Sequence, residues 1–254
     1  LLKNRKGLDN DAMAVVFDEW NGGELDSFLI EITANILRFR DEDGKPLLDK
    51  ILDVAGQKGT GKWSAIAAMD ENDPLTLITE AVYARLLSAL YPERIKAASL
   101  YSGKLKVESG KLSDNAQLSI EDVRQALYAA KLISYAQGFS LLRHASEHYG
   151  WDLDYGTIAR IWRKGCIIRS VFLQKITEAY RKDPDLENLL FDDFFHTKIQ
   201  EALPAWRRVV AEGALSGVAL PAMSSALNYF DGLRTLYSAA NMIQAQRDYF
   251  GAHT

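Results

Sequence analysis

SIEDVRQALYAAKLISYAQGFSLLRHASEHY, residues 119–149, decides the fold. Ser119, followed by Asp122 three positions later, resembles a capping signal. From there to about Tyr149 the spacing predicts one helix of roughly eight turns at 3.6 residues each. Ala126, Leu127, Ala129, Ala130, Ile133, Ala136, Gly138 and Leu141 place small and apolar residues on all sides of it. A helix that is apolar all round is a buried one, so this segment is expected to be the central core element.

The surrounding segments carry the same period. Met13, Val16, Phe17 and Trp20 recur at three and four, as do Leu25, Phe28, Leu29, Ile32 and Ile36. Phe195, Ile199, Ala202, Leu203, Trp206, Val209 and Val210 form a third stripe. Asp9 or Asn10 can cap the first of these helices, and Gly22-Gly23 ends it. A second runs to about Arg40, before the turn Asp41-Glu42-Asp43-Gly44. Pro221 opens another at a favoured first-turn position. Lys104 to Asn115 reads as a polar surface loop. Strand-like alternation is nearly absent. The fold class is therefore all-α, a large helical domain built around the long central helix.

An internal repeat organises the chain. Trp20-x-x-Gly23-x-Leu25 recurs as Trp162-x-x-Gly165-x-Ile167, and Phe28-Leu29-x-x-Ile32-Thr33 recurs as Phe172-Leu173-x-x-Ile176-Thr177. The offsets are 142 and 144 residues. That period suggests a duplicated bundle, with copies at about 1–116 and 117–254. Leu1-Leu2-Lys3 aligns with Leu141-Leu142-Arg143, the end of the long helix. The first copy is thus expected to lack the first ~25 residues of its own counterpart, and to expose an apolar groove where that helix would lie.

Composition narrows the partners. The 254 residues include 48% hydrophobic and 25% charged side chains, with a net charge of −4. That balance is ordinary for a globular protein and favours neither nucleic acid nor an acidic membrane. No apolar run approaches the ~18 residues of a membrane span. The first residues are too polar for a signal peptide. The one cysteine, Cys166, forms no intrachain disulfide and suits a reducing compartment, so a cytoplasmic location is expected.

Several constellations could carry chemistry. Gly56-Gln57-Lys58-Gly59-Thr60-Gly61-Lys62-Trp63 combines glycines, which let backbone N–H groups approach an anion, with two lysines and a hydroxyl. It nearly fits a nucleotide P-loop, but Trp63 stands where Ser or Thr must hold magnesium. A site for a phosphate ester is the better reading. Arg85, between Val82 and Leu86 on an apolar helix, suggests a buried cation paired with an anion. The alternative is a side chain that snorkels to the surface. His144-Ala145-Ser146-Glu147-His148 matches a zinc-hydrolase pattern. Nothing nominates a third ligand, so a solvated last turn is the simpler reading. Cys166 reads as a small buried residue. At the end of the chain, Tyr249-Phe250 would act as an anchor, with Arg247 and His253 supplying cationic and titratable groups.

These features resemble the 6-phosphogluconate dehydrogenases in order and spacing. The matching segments are Phe17-Asp18-Glu19-Trp20-Asn21-x-Gly23-Glu24-Leu25, Gly56 to Trp63, and Leu77-Ile78-x-Glu80-Ala81-Val82-Tyr83-Ala84-Arg85. They continue with Ile133-Ser134-Tyr135-Ala136-Gln137-Gly138-Phe139, Trp162-Arg163-x-Gly165-Cys166-Ile167-Ile168-Arg169, and Gln244 to Thr254. The resemblance covers essentially the whole chain and places it in the family's helical C-terminal domain. It implies an enzyme of the pentose phosphate pathway that oxidises 6-phosphogluconate with NADP, decarboxylates the keto intermediate and releases ribulose 5-phosphate. It implies that Lys58, Thr60 and Arg85 hold the substrate phosphate. Arg247 and His253 would act in the partner subunit's site of a homodimer. The NADP-binding domain, the catalytic lysine and the catalytic glutamate would all lie before Leu1, so the chain alone is expected to be inactive. The competing reading is a helical binding or scaffold module without catalysis.

Overall fold

In the computed structural model, residues 1–56, 58–101, 118–163 and 166–251 are described. They form twelve α-helices: α1 (Leu2–Lys6), α2 (Asn10–Asn21), α3 (Phe28–Arg38), α4 (Thr60–Asp70), α5 (Thr76–Ala89), α6 (Tyr91–Tyr101), α7 (Ile120–Tyr149), α8 (Tyr155–Trp162), α9 (Leu173–Lys182), α10 (Asp193–Ser216), α11 (Pro221–Leu233) and α12 (Ala240–Phe250). Short 3-10 turns lie at Leu47–Lys50 and Leu189–Phe191. The only β pairing among the described residues is two isolated antiparallel bridges. The expected loop from Lys104 to Asn115 lies outside the described residues.

The helix ends follow their local chemistry. The Asp9 side chain accepts the Ala12 N–H at 2.8 Å and starts α2. Ser119 accepts the Asp122 N–H at 2.9 Å while Asp122 accepts the Ser119 N–H at 2.8 Å, a complete capping box for α7. Gly150 ends α7 at φ +66°, in the left-handed region that a side chain disfavours. Replacing Ser119 by Ala is expected to cost about 1 kcal/mol, read as a lower urea midpoint at unchanged m. No change would mean that tertiary packing alone holds this end.

α7 is the centre. Val123, Ala126, Tyr128, Ala129, Ala130, Leu132, Ile133, Ala136 and Phe139 are buried along it. α10 packs along α7, and α5 and α11 also lie against it. Continuous burial ends at Ser140, and beyond it only Ser146 is buried on this helix. Gln137 is fully buried in this apolar surround because it has work at the start of α5: its Oε1 accepts the Leu77 N–H at 3.0 Å and its Nε2 donates to Thr76 Oγ1 at 2.9 Å. The long stripe on α10 is buried as expected at Phe195, Ile199, Ala202, Trp206 and Val209, and it runs through Pro204 inside the helix.

The segments matched in the repeat lie in corresponding places. Trp20 and Trp162 both end helices, α2 and α8, while Phe28 and Phe172 both stand at helix starts, those of α3 and α9. The two starts meet: Ser27 and Ser170 form an antiparallel bridge, and the Val171 N–H donates to the Asp26 carbonyl at 3.3 Å.

Three expectations need correction. The second helix stops at Arg38 rather than near Arg40, where Phe39 turns extended. Cys166 is half-buried in an irregular segment ahead of α9, not tucked into the core. Tyr249 and Phe250 are 90% and 87% exposed, so they anchor the terminus to nothing in this chain.

Candidate functional site

The segment before α4 is strapped along α5 and α6. Arg94 donates to the Asp53 carbonyl at 2.8 Å and pairs with the Asp53 carboxylate at 2.6 Å. Ser88 Oγ accepts the Ala55 N–H at 2.9 Å. Arg85 donates from Nε to the Gly56 carbonyl at 2.8 Å and from Nη2 to the same oxygen. These bonds lay residues 53–56 beside the second half of α5 and end two residues short of Lys58.

Glycine makes the next step. Gly59 takes φ +112° at the start of α4, a conformation L side chains rarely adopt. At Gly61 a Cβ would stand 2.7 Å from Val82 Cγ2, so the first turn of α4 is pressed against α5 one turn before Arg85. Thr60 is the first residue of α4. Among the described residues no side chain caps α4, and no acidic residue lies in its first turn. Its outward N–H groups and the positive end of its dipole accompany Lys58, Lys62 and Arg85. This is a corner suited to an oxyanion.

Arg85 is bonded to Gly56, two residues before Lys58, and Gly61, next to Thr60, is pressed on Val82 one turn earlier on α5, but the reading of Arg85 is corrected. That residue is exposed, and two of its five N–H donors engage a neutral carbonyl. α5 has no buried residue at all. Its apolar character reflects uncovered surface: Tyr83, Leu86 and Leu87 are exposed, as are Trp63 and Ile66 on α4. Arg247 lies in the last turn of α12, a helix with no buried residue, and is not carried to this corner within the chain. His253 lies outside the described residues.

The H-x-x-E-H segment is also reorganised. His144 Nδ1 is 2.8 Å from Asp73 Oδ2, and His148 Nδ1 is 2.8 Å from Glu71 Oε2. Glu147 pairs with Arg143 at 2.6 Å. The last turn is solvated at Glu147 and His148, whose side chains are 60% and 61% exposed, and the two imidazoles also clamp the end of α7 to the turn between α4 and α5. Among the described residues no group of three or more His, Cys, Asp or Glu is arranged to hold a metal ion. Sequence reasoning missed Asp73 and Glu71, because a contact spanning about 70 residues leaves no local signal. The positive φ of 54° at Asn72 between them also follows only from the fold.

Among the described residues no helix is long and apolar enough to cross a membrane. Residues 1–254 match the family described as the C-terminal domain of 6-phosphogluconate dehydrogenase. The chain is 56% identical over 254 residues to a decarboxylating 6-phosphogluconate dehydrogenase of Cunninghamella elegans, and 54% identical to that of Homo sapiens. Each match covers 100% of this chain and 52% of the relative, so the chain spans about half the length of the curated relatives it matches. A solved Plasmodium falciparum 6-phosphogluconate dehydrogenase, studied in apo form, with its cofactor NADP+ and with its substrate 6-phosphogluconate, superposes with a TM-score of 0.94 at 42% identity. That match covers 100% of this chain and 54% of the other. On sequence, fold and the conjunction of the Gly56–Trp63 corner with Arg85, the chain belongs to the 6-phosphogluconate dehydrogenase C-terminal domain family.

Proposed function

We propose that this chain is the substrate-phosphate-binding and dimer-forming half of an enzyme that oxidatively decarboxylates 6-phosphogluconate to ribulose 5-phosphate with reduction of NADP. The observation that supports the reading is the start of the eleven-residue α4, where Gly56 meets Arg85 and Gly61 meets Val82 of α5, with Lys58 and Thr60 between them in the sequence. A phosphate there gains from fixed backbone N–H groups and from cations already positioned, so little ordering cost remains on binding.

The cofactor supplies hydride acceptance when bound. The described residues of this chain do not form a dinucleotide cradle, since no strand leads into the Gly-rich segment. NADP, the catalytic lysine and the catalytic glutamate are assigned to the other half of such an enzyme. The domain assignment that accompanies this is two copies of one bundle, at about 1–116 and 117–254. Arg247 and His253 are assigned to the partner subunit's site. The exposed Met242, Ile243, Tyr249 and Phe250 on α12 suit a helix that is covered only by a second copy. A cytoplasmic location accords with a single, unpaired cysteine.

The test is NADPH formation. The chain with NADP and 6-phosphogluconate is expected to give none, and adding a family NADP-binding half is expected to restore it. In the restored enzyme, Arg85→Met should raise KM for 6-phosphogluconate about 10- to 100-fold, the worth of hydrogen bonds to a charged group. kcat should change less. Turnover by the chain alone, no restoration, or an unchanged KM in the Arg85 variant would each overturn the assignment.

A further inference from the structure

A cavity of about 860 Å3 lies between the start of α5, the last turns of α7, the segment around Asn188 and α11. It is separate from the phosphate corner. Thr76, on its wall, precedes Arg85 by nine residues, which at 100° per residue puts the two on opposite sides of α5.

Its polar wall is assembled from buried partners. The Asp73 side chain is 1% exposed, and its Oδ2 accepts from Ser140 Oγ at 2.7 Å and faces His144 Nδ1 at 2.8 Å. A carboxylate there keeps the proton on Nδ1, so Nε2 is an acceptor and takes Arg143 Nη2–H at 3.0 Å. Arg143 Nη1 is held by Glu147. Arg143 Nε is buried and has no hydrogen-bond partner among the described residues. Nε is therefore closed off from the cavity, but Nη1 and Nη2 each carry a second N–H besides the one bound to Glu147 or His144, and on a guanidinium held by its neighbours these are preset for an oxyanion in the cavity that Arg143 lines. Across the cavity, Tyr229 Oη accepts from Asn188 Nδ2 at 3.3 Å. Burial holds the Tyr229 phenol protonated by raising its pKa, against the smaller lowering effect of Asn188, so its O–H remains a donor. Glu80 and Glu187 contribute carboxylates to the same cavity. Carboxylates accept from hydroxyl groups, and they disfavour a ligand that is anionic throughout.

We propose that this cavity is a second ligand site, for a small polyhydroxylated oxyanion such as a sugar acid or a sugar phosphate, with Arg143 taking the oxyanion and the carboxylates and Tyr229 taking the hydroxyl groups. Its size is that of a small-molecule site. Because α5 forms one wall and carries Arg85 on its far side, occupancy bears on the helix that shapes the phosphate corner. The site is therefore of the effector kind.

The experiment is calorimetric titration of the full chain carrying Arg85→Met, which disables the corner proposed for the substrate phosphate, with gluconate, inorganic phosphate and glutamate. Gluconate, phosphate or both are expected to bind at one saturable site, and which of them binds tells a carboxylate ligand from a phosphate ester. Adding Arg143→Gln should weaken that binding at least tenfold, and binding that persists without Arg85 separates this site from the one proposed for substrate. Should Arg143→Gln disturb folding, as read by circular dichroism, Asn228→Asp decides. Asn228 is exposed on the cavity wall, and a carboxylate there should weaken binding several-fold. No saturable binding of gluconate or phosphate by the Arg85 variant, tighter binding of glutamate, or indifference to the Asn228 change would overturn the proposal.

Discussion

Replacing Trp206 by Ala is expected to lower stability by about 3–5 kcal/mol, the usual cost of deleting a large buried aromatic side chain. Trp206 is fully buried on α10, and its Nε1–H donates to the Met223 carbonyl on α11 at 3.2 Å. The ring stands 6.3 Å from that of Phe230, also on α11. The substitution therefore empties the junction of α10 with α11 and leaves the Met223 carbonyl without this donor. A change of that size is a large part of a domain's net stability, and should lower the thermal midpoint by roughly 6–20 °C for a chain of this length. Tyr237→Ala serves as the control, because Tyr237 is 88% exposed and its replacement should stay within about 0.5 kcal/mol. A loss below about 1 kcal/mol for the Trp206 variant would mean that α10 and α11 are not packed as described.

Lys131→Met should act in the opposite direction. Lys131 lies on α7 with its Nζ buried and without a hydrogen-bond partner among the described residues. The ammonium sits 5.2 Å from the centre of the Phe172 ring. Burial pushes its pKa down to about 8, and the charge of Asp26 offsets this only in part. The stability consequence depends on pH. Below pH 8 the lysine is charged in both the folded and unfolded chain, and folding bears the full cost of burying the charge. Between about 8 and 10.5 the folded chain has released the proton and the unfolded chain has not, so stability rises with pH. Above that window the group is neutral in both states and the cost is gone. An unbranched apolar side chain of similar length removes the cost altogether. The variant is expected to gain about 2–3 kcal/mol at pH 7, at 1.36 kcal/mol per unit of displaced pKa, and to lose most of that advantage by pH 10. The difference between variant and parent in urea unfolding at the two pH values is the measurement. It cancels the titration of the buried tyrosines, which both proteins share. An advantage that does not change with pH would mean that Lys131 titrates normally.

The sequence by itself determined the all-α class, the central helix and several helix ends. Ser119 with Asp122, Asp9, Pro221 and Gly150 act on backbone groups within four residues, so their effect is local and legible. The 3.6-residue period at Val16 and Trp20, or at Phe195, Ile199 and Trp206, likewise identifies which face turns inward, because burial of an apolar stripe is what holds a helix in a protein. Lys58 and Thr60 were visible for the same reason, as glycine, hydroxyl and cation lie within one short segment.

Tertiary structure alone decided the rest. That Arg85 lies exposed and grips the Gly56 carbonyl depends on a loop 29 residues away in the chain, and helical period cannot say whether an apolar face is covered or bare. α5 reads as a core helix and is instead surface, because nothing in the described chain lies over Tyr83 and Leu87. The metal-like spacing of His144 and His148 resolves into two carboxylate pairs only once the turn at Glu71 and Asp73 is brought against the end of α7. Lys131 and Gln137 both occupy the interior face of α7, yet one meets two polar partners and the other an aromatic ring. A helix presents its side chains at fixed angles, but what each one meets is set by the neighbouring helices, and that is long-range information which no stretch of local sequence contains.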